Sequence, residues 1–175
     1  MLRIDALVPG LVAVVGDEQT GKTDYLKRLA RVLPALPGDA IPTGPVAWAD
    51  LSLPAADAET PAALLASAHG RAPAWDPVLR DHWIAEWGLA PHLEKPLYML
   101  STGSRRKVAL LMLLASGAAV VCLDQPYAAL DMASIRALRA YLQAQAGHAS
   151  RTWVIADYTA DPLLPWRSVR NLPPR

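Results

Sequence analysis

The sequence predicts an α/β domain, a parallel β-sheet flanked by helices, and three observations carry that expectation. Strand-like apolar runs alternate with segments of helical periodicity along the chain. The runs at 11–15, 120–123 and 153–156 are apolar without interruption, as suits strands buried on both faces. Between the first run and the helix after it lies Gly16-Asp17-Glu18-Gln19-Thr20-Gly21-Lys22-Thr23, a turn of the form G-x-x-x-x-G-K-T.

Taken in order, residues 2–7 read as a short edge strand, and Pro9-Gly10 turns into the strand 11–15. A helix follows from Lys22, with Tyr25, Leu26, Leu29 and Val32 at helical spacing. Pro34, Pro37 and Gly38 end it and open a Pro/Gly-rich loop. Val46-Ala47-Trp48-Ala49 reads as a short buried strand, Asp50 closes it, and residues 51–60 return to loop. Thr60-Pro61 and Asp76-Pro77 each place a capping residue before proline at the first helical position. The second of these helices runs through Trp87 to Gly88, with Val78, Trp83, Ile84 and Trp87 broadly on one side. Ser101 caps a helix reaching about Ser116, and Gly117 stops it before Val120-Val121-Cys122-Leu123. Residues 132–146 form an Ala-rich helix with Ile135, Leu138 and Leu142 inward, and Trp153-Val154-Ile155-Ala156 is the next strand. The Pro-rich end keeps one apolar piece, Ser168 to Leu172.

The turn at 16–23 carries the chemistry. Gly16 and Gly21 let the backbone curl so that the N–H groups of Asp17, Glu18, Gln19 and Thr20 point inward at phosphate oxygens. The helix N-terminus after Gly21 adds partial positive charge to the same anion site. Lys22 is placed to reach the β- and γ-phosphates, and Thr23 to present its hydroxyl to Mg²⁺. Glu18 is out of character, because a carboxylate repels phosphate unless its side chain turns outward.

Composition bounds the alternatives. The 175 residues suit one domain with a sizeable core, 53% are hydrophobic, and the formal net charge is +1. There is no basic field to suggest nucleic acid and no acidic run to suggest a disordered tail. Ala118 to Leu123 is too short to span a bilayer, and residues 1–5 lack the layout of a signal peptide. Cys122 stands alone, which excludes a disulfide framework within the chain, and the four histidines have no metal-ligand spacing. The expected location is cytoplasmic.

Two further motifs stand downstream in a fixed order. Val120 to Asp124 is an apolar strand ending in a carboxylate that can share a Mg²⁺ with Thr23, and Gln125-Pro126 then Ala129-Leu130-Asp131 follow. Upstream sits Leu100-Ser101-Thr102-Gly103-Ser104-Arg105-Arg106-Lys107-Val108-Ala109-Leu110. In these three motifs, spanning residues 11–131, the chain resembles the nucleotide-binding subunits of ABC (ATP-binding cassette) transporters. Leu100 to Ser104 matches the L-S-x-G part of that family's signature segment, Asp124 its Walker B aspartate, and Ala129-Leu130-Asp131 its D-loop. The resemblance implies the P-loop NTPase (RecA-like) fold, with a shortened N-terminal β region and a small helical subdomain at about 60–96 within one domain of 1–175. It also implies a head-to-tail homodimer, or a heterodimer with another ABC subunit, with ATP and Mg²⁺ between the loop at 16–23 of one subunit and Ser101 and Gly103 of the other. The implied partner is a membrane permease, most simply a small exporter or a cytochrome-maturation-type haem exporter, which would place the chain peripherally on the inner face of the membrane.

The departures from that pattern bear on catalysis. Gln125 stands where the family has a glutamate acting as general base, and an amide can orient a water but not take its proton. Tyr158 aligns with the family's switch histidine, and an offset by one puts Asp157 there. Asp50 falls near the Q-loop glutamine, although a loop-capping aspartate is the simpler reading. No aromatic residue precedes Tyr25, so the usual adenine-stacking residue is missing. The expectation is an ATPase that grips nucleotide through Lys22 and hydrolyses it slowly. A non-hydrolysing ATP-gated dimer is the second reading. A small-molecule P-loop kinase is the third, but it lacks a lid and leaves Leu100 to Leu110 unexplained.

Overall fold

Five strands, Gly10–Val15 (β1), Val46–Ala47 (β2), Val120–Asp124 (β3), Thr152–Asp157 (β4) and Ser168–Asn171 (β5), form one sheet in the order β2-β3-β4-β1-β5. The computed structural model describes residues 3–72 and 74–174. Every strand pair in the sheet is parallel. Parallel strands need crossover connections, and the alternation of strand and helix supplies them. All six residues of β1 are buried, as are the first four of β3, which explains why both read as unbroken apolar runs. The chain divides into two compact units. One comprises Met1–Trp48, Ala118–Pro126 and Leu138–Arg175; the other comprises Ala49–Gly117 and Tyr127–Ala137.

In the sheet unit, the helix Lys22–Leu29 (α1) packs Tyr25, Leu26 and Leu29 into a core with Val12, Val14, Cys122 and Val154. At the far end of α1, Arg28 forms a buried ion pair with Asp39 at 2.8 Å. Burial alone would raise the Asp39 carboxyl, but the Ile4 and Leu36 amides and the Arg28 guanidinium outweigh it and hold the group below its ordinary value. Ile4 is fully buried, yet residues 3–7 form no strand, which corrects the expectation of an edge strand at 2–7 for its described part. The physical reason is that the Ile4 amide donates to the Asp39 side chain and its carbonyl accepts from Ala40, so a loop takes the ladder's place. Val32 is likewise not on the buried face of α1; it is exposed, because Arg31 turns left-handed at φ +59° after the helix ends. Trp48 and Ala49 fall outside β2, whose pairing to β3 stops at Ala47.

In the helical unit, Pro61–Arg71 (α2), Pro77–Glu86 (α3) and Thr102–Leu114 (α4) begin at side-chain caps. Thr60 accepts from the Ala63 amide, Asp76 from Leu79 and Ser101 from Ser104. Trp83 is fully buried, with its ring centre 4.2 Å from that of Trp87. Val78 is 76% exposed, so it does not share their face as its spacing had suggested. Gly117 ends the stretch after α4 at φ +66°, where a Cβ would lie 1.9 Å from the Ala74 carbonyl oxygen, so only glycine fits. A helix at Met132–Gln145 (α5) starts in this unit, capped by Asp131, which accepts from the Ser134 amide at 2.8 Å. Its later residues Leu138 and Leu142 are fully buried and belong to the sheet unit; Ile135 is half-buried.

Candidate functional site

The carboxyl ends of β1, β3 and β4 lie side by side, with Val15 opposite Asp157 and Asp124 opposite Ala156. Ligands of open α/β sheets bind beyond this edge. A cleft of about 590 Å³ opens there, lined by Glu18, Gln19, Gly21, Lys22, Thr23, Asp24, Gln125 and Tyr158.

The loop at 16–23 is shaped by its glycines. A Cβ on Gly16 would come within 2.8 Å of the Thr20 hydroxyl and 3.2 Å of Leu172. Gly21 takes φ +96° at the start of α1 and offers no side-chain cap. Gln19 is also left-handed at φ +59°, and Thr20 ties the loop by donating to the Asp17 carbonyl at 2.9 Å. Gly21 thus leaves the N-terminus of α1 without a side-chain cap, and a helix start of this kind can be completed by an anion. Lys22 is 6% exposed and folds over the loop, donating to the Gly16 and Asp17 carbonyls at 2.5 and 2.6 Å.

Thr23 and Asp124, 101 residues apart in sequence, meet directly, the Thr23 hydroxyl donating to Asp124 Oδ2 at 2.6 Å. A hydroxyl and a carboxylate are hard oxygen donors suited to Mg²⁺, an ion that keeps water and phosphate oxygens as its remaining ligands. That donor set fits the ion, and the described residues hold no cluster of three or more metal-ligating His, Cys, Asp or Glu side chains that would form a cage by themselves. Gln125 follows at φ +46°, a left-handed conformation rare for a side chain of its size, and its amide donates to the Ala156 carbonyl at 2.8 Å. Tyr158 projects from the end of β4. Its hydroxyl donates to Glu18 Oε1 at 3.1 Å, and the Lys22 ammonium lies 4.6 Å from its ring centre. The hydrogen bond to Glu18, and then that carboxylate's charge, raise the Tyr158 hydroxyl above its ordinary value. Cys122, inside β3, is pushed up to about 12 by burial and secondarily by Asp124, an unreactive thiol.

Thus Gly16 to Thr23, Asp124, Gln125 and Tyr158 lie in one unit, where Glu18, Gln19, Gly21, Lys22, Thr23, Gln125 and Tyr158 line the cleft and Asp124 joins it through Thr23. Ser101 and Gly103 belong to the helical unit, with Asp131. There the Ser101 hydroxyl accepts from the Ser104 amide and donates to the Ser104 hydroxyl at 3.0 Å. A Cβ on Gly103 would meet the Ala129 carbonyl oxygen at 2.7 Å, so close approach to the segment before Asp131 requires glycine. Asp131 also accepts from Lys107 at 2.8 Å, and that bond, with those from Ser134, holds its carboxyl well below the usual range. Asp50 caps its own turn, accepting from the Ser52 amide and hydroxyl. Sequence reading missed Asp24 and Leu172 as neighbours of the loop. Asp24 sits directly after Thr23 in the first helical turn, a visible signal; nothing in the sequence pointed to Leu172.

A phosphate loop at the carboxyl edge of a parallel sheet, with a hydroxyl and a carboxylate joined beside it, defines the P-loop nucleotide-binding class. No protein-family model matches the chain. Curated relatives do. A cytochrome c biogenesis ATP-binding export protein, CcmA, from Zymomonas mobilis is 38% identical over 129 residues, which cover 73% of this chain and 57% of the relative. CcmA of Novosphingobium aromaticivorans is 32% identical, covering 75% of this chain and 65% of the relative. CcmA of Bordetella parapertussis is 32% identical over 157 residues, covering 79% and 68% respectively. The chain belongs to the ABC ATP-binding family that includes these export proteins. It matches under two thirds of the length of the first two. Among solved structures, an ABC transporter ATP-binding protein from Pyrococcus furiosus superposes with a TM-score of 0.72 at 20% identity, covering 93% of this chain and 84% of its own. An ATP-binding subunit of an ABC transporter gives a TM-score of 0.65 at 17% identity, with 87% and 71% covered. These two likenesses concern the fold.

Proposed function

We propose that this chain is the ATP-binding subunit of an ABC transporter, binding MgATP at residues 16–23 and driving or gating a membrane permease. The observation that carries the reading is the uncapped start of α1 beside the joined Thr23 and Asp124. Backbone amides of the loop and Lys22 hold the phosphates, and Thr23 and Asp124 hold Mg²⁺, which when bound screens phosphate charge. Ser101 and Gly103 act on the nucleotide of a second subunit, the same chain or another of the family. The whole chain serves as one ATP-binding domain, with 60–96 as its helical subdomain. The cargo is haem or a related cytochrome-maturation substrate, by kinship with the export proteins. No helix among the described residues is long and apolar enough to cross a membrane; in this reading the permease holds the chain at the inner face.

Hydrolysis is slow in this reading. Gln125 lines the cleft and can orient a water by hydrogen bonds, but its amide cannot accept that water's proton. The same observation favours a second reading, an ATP-gated dimer in which bound nucleotide shifts association instead of powering cycles. The test is MgATP binding and phosphate release measured on the same purified chain, with Lys22→Ala as the blank. Binding with almost no release is expected. Ready release would remove the slow-hydrolysis account, and absence of binding would remove the nucleotide reading itself.

A further inference from the structure

The lysine of the phosphate loop already has company. Two of the three N–H groups of the Lys22 ammonium are committed to the Gly16 and Asp17 carbonyls. The ammonium also lies 4.6 Å from the centre of the Tyr158 ring, within cation–π range. The ring is tethered through its hydroxyl, which donates to Glu18 Oε1 at 3.1 Å. At its root the Tyr158 amide donates to Asp157 Oδ1 at 2.8 Å. Glu18, the residue out of character in a phosphate loop, and Tyr158 are thus partners across the cleft.

We propose that Tyr158, tethered by Glu18, is an internal competitor for Lys22 that a nucleotide's phosphate chain must displace, so that this pair sets the affinity of the site. The inference rests on the nucleotide reading above and adds a regulation to it. A phosphate oxygen needs the face of the ammonium that the ring covers, and one N–H cannot serve both. Moving the ring breaks the bond to Glu18 and frees a carboxylate beside the incoming phosphates, so the two residues oppose binding together. Tyr158 is 45% exposed, so the tether is solvent-screened and its effect is a modest one. Removing the hydroxyl alone should tighten MgATP binding about threefold, and removing the whole ring about tenfold, the scale of one hydrogen bond and one exposed cation–π contact.

The experiment titrates MgATP against the wild-type chain, Tyr158→Phe, Glu18→Ala, the double variant, Tyr158→Ala and Lys22→Ala, with melting curves confirming that each is folded. Tighter binding by Tyr158→Phe in the wild-type background, and no effect of it in the Glu18→Ala background, is the expected result. A role in folding alone would not depend on that background. Weaker binding by Tyr158→Phe, or an equal change in both backgrounds, overturns the competitor while leaving the nucleotide reading intact if Lys22→Ala still weakens binding. Binding gained by Tyr158→Ala where the wild type shows none supports the competitor. No binding by any of the chains overturns both.

Discussion

Helix α4 begins as helices usually do, with the Ser101 side chain accepting from the Ser104 amide at 3.1 Å, whereas α1 begins at a left-handed Gly21 with no side-chain cap at all. α2, α3 and α5 follow the pattern of α4, each with an oxygen of Thr60, Asp76 or Asp131 on an early amide. A cap contributes about 0.5–2 kcal/mol, so an uncapped start is a local loss unless something else takes the amides. The rest of α1 makes up for it, through the buried Tyr25, Leu26 and Leu29 and the Arg28–Asp39 pair at the opposite end. The contrast teaches where to look for function. A helix start that is anchored from behind and left open in front is built for an external anion, while one that caps itself is complete without one.

The comparison can be sharpened or broken in five ways. The largest effect is expected from Gln125→Glu, which places a proton acceptor beside the open end of α1 and should raise phosphate release about 10²- to 10⁴-fold. Unchanged turnover in a chain that still binds MgATP would mean that the missing base is not what limits it. Next comes the rear anchor. Arg28→Ala leaves the Asp39 carboxylate, which has 0% exposure, without its cation and should lower stability by about 3–5 kcal/mol in urea unfolding. A loss smaller than that of an ordinary surface substitution would show α1 to be held by its apolar face alone. The same anchor predicts a pH dependence. Because folding depresses the Asp39 carboxyl, its stabilisation is complete above about pH 4 and disappears as the pH falls through the lower folded value. Stability measured from pH 6 downward should fall more steeply in the wild type than in Asp39→Asn.

At the open end, Lys22→Ala should weaken MgATP binding about 10- to 100-fold, the range of a charge-assisted contact, with little change in melting temperature. A fall in stability with binding intact would reverse the roles assigned to the two ends of α1. The smallest effect belongs to Ser101→Ala, expected to lose about 1 kcal/mol of stability as any N-cap does. If Ser101 also acts on a partner's nucleotide, that variant should reduce MgATP-dependent dimerisation seen by sizing, which Ser101→Thr should preserve.

The parts of the site that could be read from the chain share one property, that local sequence constrains them. Gly16 to Thr23 announced itself because a left-handed Gly21 and a helix start must be adjacent in sequence. The caps at Thr60, Asp76 and Ser101 were legible for the same reason, each lying three residues before the amide it serves. The expected edge strand at 2–7 is absent over its described residues, 3–7, because apolar residues do not say whether a ladder partner exists, and Asp39 supplied a side chain instead. Val78 was misread because four residues at helical spacing define a face only once a neighbour selects one, and the unit selects Trp83 and Trp87.

The sequence by itself determined the parallel α/β architecture, the phosphate loop and the identity of Gln125, since periodicity, glycine geometry and side-chain chemistry are local properties. Tertiary contact was needed for Thr23 to reach Asp124 across 101 residues, for Arg28 and Asp39 to pair with almost no exposure, and for Glu18 to meet Tyr158 over Lys22. The first and last of these join segments brought together by strand order, which is set by which faces bury best, and Arg28 meets Asp39 because the loop after α1 folds back on the helix.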